Sequence, residues 1–220
     1  MTLEKGMSRL VSIQVGVPRW NVMADGQRWH SAFFKRPVVG PVALRLTNLE
    51  GDEQADVGNH GGPDMAVLSY GFDHYADWRA ELELPEMGPG GFGENFTIAG
   101  QDESTVFIGD VYEVGGAVVQ VSQPRGPCSK ISKRWDRPDL LRRVEETGRH
   151  GWYLRVLQEG TVEAGLELRL TERPHPDWSV RRARDAFRWR KREKALAAEL
   201  AGCEALAATA RDELLRAVER

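Results

Sequence analysis

Gln123-Pro124-Arg125-Gly126-Pro127-Cys128-Ser129-Lys130 is the stretch best able to carry chemistry. Pro124 and Pro127 each fix φ and remove a backbone donor, and Gly126 between them admits unusual dihedrals. A cysteine in so restricted a loop, between Arg125 and Lys130, has two cations nearby that favour the thiolate, the form that attacks electrophiles and ligates metals. The same octapeptide also reads as an ordinary half-buried cysteine in a turn.

Three other patterns could contribute. Asn59-His60-Gly61-Gly62-Pro63-Asp64 is a polar, glycine-rich turn. Its adjacent glycines would let backbone approach a ligand or offer consecutive amide donors to an anion, and His60 reads equally as a hydrogen-bonded structural histidine. Gly90-Gly91-Phe92-Gly93-Glu94-Asn95 is a second such turn, and Asn95 carries both donors and an acceptor, as the edge of a heterocycle requires. Lys35-Arg36 before Pro37 is a compact cationic pair that would suit a phosphate or sit solvated on the surface.

The elements that must position these residues are short. Val11–Val15 and Val42–Leu46 predict strands, and Met65–Tyr70 is a compact apolar run that predicts a buried one. Phe72–Leu82 has helical spacing, and Pro85–Gly93 predicts a loop. Asn95–Ile98, Val111–Val114 and Ala117–Ser122 predict strands, the last delivering the chain to Arg125 and Cys128. Pro138–Glu146 predicts an amphipathic helix, and Gly151–Val156, Thr161–Gly165 and Glu167–Leu170 return to extended structure. Many short strands with few helices predict a mainly β, barrel-like or sandwich domain. At Arg173-Pro174-His175-Pro176 the composition changes. Beyond it there is no proline and an abundance of Ala, Leu, Arg and Glu, which predicts a small helical appendage broken near Ala201-Gly202-Cys203.

Composition excludes several functions. Two cysteines, Cys128 and Cys203, make no disulfide framework and cannot hold an iron–sulfur cluster by four thiolates. Cys203, among Ala, Glu and Leu, reads as inert. A net charge of −3 gives the molecule no general attraction for nucleic acid or membrane. Residues 181–194 hold eight Lys/Arg against two acids, a local net of +6 against −9 elsewhere, so a nucleic-acid helix is disfavoured beside a solvated face docked on an acidic body. No signal-peptide core or membrane-span run is evident, and a cytoplasmic location is expected.

In order, Leu49–Asp56, His60–Asp64, Phe92–Asn95, Val111-Tyr112, Val119–Cys128, Thr147-Gly148 and Gly151–Tyr153 resemble the MOSC domain, named for the C-terminal part of molybdenum cofactor sulfurases. The set is most similar to its 6-N-hydroxylaminopurine resistance (YiiM-like) branch. The resemblance implies a segment 1–31 joining a β-barrel over residues 32–171, then a three-helix-like appendage over 177–220. It also implies a molybdenum–pyranopterin cofactor (Moco), with Cys128 as protein ligand to the metal and Arg125 beside the metal or the cofactor phosphate. A soft thiolate suits a molybdenum site otherwise built from dithiolene sulfur. His60, Gly61, Gly62, Glu94 and Asn95 would contact cofactor or substrate. Lys35 and Arg36 as phosphate ligands are an inference from charge alone.

The expected activity is reduction of N-hydroxylated purines, hydroxylamines or amidoximes. With no flavin or iron–sulfur motif in the chain, the electrons would come from a separate flavin or iron–sulfur donor protein. The alternative is a Moco or sulfur carrier that uses Cys128 without turnover. The appendage could serve homo-oligomer contact or donor docking.

Overall fold

The computed structural model describes residues 7–23, 26–56, 58 and 61–219. The chain opens with β1 (Ser8–Val15), a hairpin of β2 (Arg19–Val22) and β3 (Arg28–Ser31), and the short β4 (Arg36–Pro37) and β5 (Val42–Leu44). Next come β6 (Val67–Gly71), α1 (His74–Leu82), β7 (Phe96–Ala99), β8 (Val111–Val114) and β9 (Ala117–Pro124). α2 (Lys130–Trp135) and α3 (Leu140–Thr147) precede β10 (Trp152–Gln158), β11 (Gly160–Val162) and β12 (Glu167–Glu172). α4 (Val180–Trp189), α5 (Lys194–Ala201) and α6 (Ala208–Glu219) form the tail. None of the helices among the described residues is long and apolar enough to cross a membrane.

Seven strands in the order β12-β8-β9-β10-β6-β7-β1 close into a barrel, because β1 pairs back onto β12 through Ser8 with Leu168 and Arg9 with Glu167. Closure leaves no long open edge among these strands. All ladders of the barrel are antiparallel except β6–β7. β6 is buried along its whole length, as its unbroken apolar run requires, whereas β9 alternates buried and partly buried positions. The mainly β barrel expected from the sequence is therefore the fold.

Leu10, Ile13, Phe96, Ile98, Val119, Val121 and Leu154 belong to a core that continues without a break into the tail through Val180, Ala183, Leu200 and Leu214. Backbone bonds stitch the two together: Ile108 N–H to Trp178 O at 2.8 Å, Val180 N–H to Val106 O at 2.8 Å, and Ala207 N–H to Ser122 O at 2.9 Å. Ser122 lies three residues before Arg125, so the tail holds the strand that delivers the cysteine loop. A second cluster, including Trp29, Phe33, Tyr75, Trp78, Phe92 and Ile131, packs the β2–β3 hairpin and α1–α3 together.

β2, β3, the two-residue β4 and α2 went unread in the sequence. The β2–β3 hairpin has mostly exposed residues in β2 and so little alternation to signal it. α2 is six residues long, too short for a helical period to show, and is anchored by the buried Ile131 and by Trp135 Nε1 donating to Gly91 O at 2.8 Å.

His150, between α3 and β10, is buried, and burial pushes its pKa down to about 4; Arg184, Arg125 and Arg181 push the same way against Glu103. Its folded value lies below the unfolded one, so its contribution to stability is complete above about pH 6.5 and is lost as pH falls towards 4. Thermal melts from pH 7 to 5 should show a loss of about 2 kcal/mol from this group, roughly 4–8 °C in Tm. The slope should flatten in His150→Gln, and an unchanged slope would assign the loss to other groups.

Candidate functional site

β9 ends at Pro124, and Arg125 through Ser129 cross to α2, where Ile131 N–H in the first turn donates to Cys128 O at 3.2 Å. The cysteine therefore lies between a strand end and a helix start, tied at both. It is half-buried and unbridged, on the wall of a cavity of about 300 Å³. Arg125, Lys130, Gln123, Tyr153, Lys35 and Asn95 also line that cavity. A volume near 300 Å³ lies at the small end for a ligand pocket.

Arg125 sets the electrostatics of the cavity. Its side chain is 4% exposed, its backbone N–H is fixed to Gly151 O at 3.1 Å, and its guanidinium lies 5.8 Å from the centre of the Phe33 ring. Nη1 is buried without a hydrogen-bond partner among the described residues, and so is Oε1 of Gln123, two residues earlier. A buried cation with an unused donor costs free energy unless something fills the site. At Gly126 an added Cβ would meet nothing within 4 Å, so the wall there is bare backbone. Burial also holds the Tyr153 phenol above its ordinary pKa, against the pull of Arg125. Tyr153 thus enters the cavity as a neutral hydrogen-bond donor at physiological pH.

At the other end the charges cancel. Lys35 Nζ bonds Asp52 Oδ1, both side chains being nearly inaccessible. Asp52 also accepts Gly16 N–H and Asn95 Nδ2, each at 2.8 Å. Burial draws the Lys35 pKa down, and Asp52 opposes it. Asp52 was not singled out as a site residue in the sequence, although it lies within one of the stretches carrying the family resemblance. Flanked by Glu50 and Glu53, it carried no local signal that set it apart from them.

The structure treats the remaining expected residues unequally. Arg36 is exposed on β4 and does not line the cavity, since adjacent residues of an extended chain face opposite ways. Gly61 is on the cavity wall, and Gly62 begins the short 3₁₀ turn Pro63–Met65. His60 lies outside the described residues. Glu94 is fully buried beneath the site, accepting from Gly90 N–H, Phe92 N–H, Tyr75 Oη and Thr97 Oγ1. It builds the turn. Asn95 spends both amide protons, on Gln14 O and Asp52 Oδ2, and its oxygen accepts Leu68 N–H. It orients Asp52.

Gly93 acts through shape. Its φ is +74°, and a Cβ there would lie 2.8 Å from two atoms of the Phe33 ring. Gly93→Ala is therefore expected to lose about 2 kcal/mol, roughly 4–8 °C in Tm, as strain and ring displacement combine. The displaced ring would also loosen Arg125. A melt indistinguishable from wild type would show that both the backbone at residue 93 and the Phe33 ring relax without cost.

Residues 56–169 match the family model described as the MOSC domain. The uncharacterized protein YflK of Bacillus subtilis is 43% identical over 171 residues, covering 78% of this chain and 76% of that one. A Gibberella moniliformis protein named "Reductase" is 41% identical over 193 residues, covering 86% of this chain but only 34% of its own length, so this chain spans about a third of it. The crystal structure of YiiM from Geobacillus stearothermophilus superposes with a TM-score of 0.81 at 33% identity, covering 96% of this chain and 99% of that one.

Proposed function

Because the chain belongs to the MOSC domain family, in its YiiM-like branch, we propose that it holds a molybdenum–pyranopterin cofactor at the Arg125–Cys128 wall and reduces N-hydroxylated compounds. The substrates would be N-hydroxylated purines, hydroxylamines or amidoximes, and a separate flavin or iron–sulfur protein would supply the electrons.

The observation that carries the reading is the buried, unpaired Nη1 of Arg125 on the same wall as the Cys128 thiol. The residues present fit the group. Among the described residues no three His, Cys, Asp or Glu side chains are grouped to hold a metal, and Cys128 offers a single soft donor. That suits a metal whose other ligands come with its cofactor. Arg125 would take an anionic oxygen of cofactor or substrate, and Gln123 Oε1 a donor of the heterocycle. When bound, the cofactor would supply the two-electron chemistry that reduction of an N–OH group requires.

Overall, the N–O bond breaks, two electrons and two protons enter, and an amine and water leave. Tyr153 would donate a hydrogen bond to the departing oxygen while Phe33 and Met65 exclude bulk water. The Lys35–Asp52–Asn95 network would keep its end of the cavity neutral and rigid, leaving Arg125 as the buried cation beside Cys128. The name of the Gibberella relative supports a reductase reading.

The test is turnover. Molybdenum-loaded protein with an artificial reductant should convert 6-N-hydroxylaminopurine to adenine, and an intact substrate after prolonged incubation would overturn the proposal.

A further inference from the structure

On the far side of the Gly126 loop, between the barrel and the tail, lies a larger groove of about 720 Å³. Met65, Gln123, Arg125, Gly126 and Pro127 line both it and the cysteine cavity, so the two spaces are separated by one strip of loop. Its charge is concentrated. Arg125, Arg184, Arg188, Arg190 and Arg216 line it against two carboxylates, Glu145 and Glu213.

The carboxylates do not neutralise the set. Arg184 Nη2 pairs with Glu145 Oε1 at 3.2 Å and Arg190 Nη2 with Glu213 Oε1 at 2.9 Å. The hydrogen bond from Arg188 goes to the backbone oxygen of Glu145 at 3.1 Å, and among the described residues Arg188 makes no ion pair. Arg216 is exposed, and Arg125 is buried with Nη1 unpaired. Among the described residues, three arginine charges therefore remain without an ion-pair partner in a concave space, on a molecule whose net charge is −3. A groove of several hundred Å³ suits a small molecule, and clustered guanidinium groups suit a phosphate, which they bind bidentately.

We propose that this groove is a phosphate subsite for the substrate, making the preferred substrate of the activity proposed above an N-hydroxylated nucleotide in place of the free base. The base enters the cavity of Cys128, the chain passes the bare backbone at Gly126, and the phosphate lies among Arg188, Arg216 and Arg125. The tail thereby forms half of the substrate site.

This inference rests on the reductase reading, but part of its test does not. In calorimetric titrations of the cofactor-free protein at low salt, AMP should bind about tenfold or more tightly than adenosine, the preference weakening as salt rises. Arg188→Ala/Arg216→Ala, at two exposed positions that leave the core untouched, should bring the AMP-to-adenosine ratio towards one. Glu213→Gln, which frees Arg190, should raise it. With loaded protein, the KM ratio of N6-hydroxyadenosine to its 5′-monophosphate should follow the same order across the variants.

Equal affinity for AMP and adenosine, or a ratio unmoved in the double variant, would overturn the proposal. So would loss of molybdenum from the double variant, which would assign the groove to the phosphate of the cofactor. A phosphate-dependent affinity without reduction of any N-hydroxylated compound would uphold the subsite and sink the reductase reading.

Discussion

Cys128→Ala protein, expressed in cells replete with cofactor, is expected to carry about a tenth or less of the molybdenum found in wild type. The side chain is half-buried and unbridged, and its structural tie to α2 runs through its backbone oxygen, which alanine keeps. The thermal midpoint should therefore move by no more than about 2 °C. Elemental mass spectrometry beside a melt separates the two quantities. Near-stoichiometric metal retained in the variant would remove Cys128 as ligand and end the proposal in its present form. Absence of metal from a folded wild type, together with a persulfide on Cys128, would favour the sulfur-carrier alternative.

Arg125→Met should have effects of opposite sign on stability and binding. In the unliganded protein the buried guanidinium has a donor without a partner among the described residues, worth about 1–3 kcal/mol of lost stability, partly offset by its contact with the Phe33 ring. Methionine occupies much of the same space without a charge. The unliganded variant should melt roughly 2–8 °C above unliganded wild type. Its molybdenum content should fall as steeply as that of Cys128→Ala, and it should lack the stabilisation that bound ligand gives wild type. A lower melting point in the variant would make Arg125 a structural residue, and the argument from its unpaired charge would lapse.

The wall bearing the cysteine was legible in the sequence because its signals are local. Prolines, glycine, two cations and a preceding alternating strand all lie within a few residues of Cys128. What was not legible depends on distant partners. Asp52 becomes part of the site only when Gly16, Lys35 and Asn95 converge on it from three segments. Glu94 resembles a ligand contact by its place in a glycine-rich turn, yet its oxygens are consumed by that turn and by Tyr75. The cationic pair Lys35-Arg36 divides between interior and solvent, a distinction that turns on where β4 begins. The arginines of the tail were visible as a run, but their convergence with Arg125 follows from the docking of α4 and α6 against the loop, which no local spacing encodes.

The pairing of β1 with β12 has a consequence for biosynthesis. The first strand of the barrel cannot find its last neighbour until residues 167–168 have left the ribosome. At ordinary translation rates roughly 10–30 s pass between the synthesis of the two, with one edge of β1 open throughout. Contacts so far apart along the chain also slow folding itself. Barrel closure therefore comes only after β12 has been made, late in the synthesis of the barrel. The residues lining the Cys128 cavity, which end at Tyr153, are thus all made before the barrel that carries them can close.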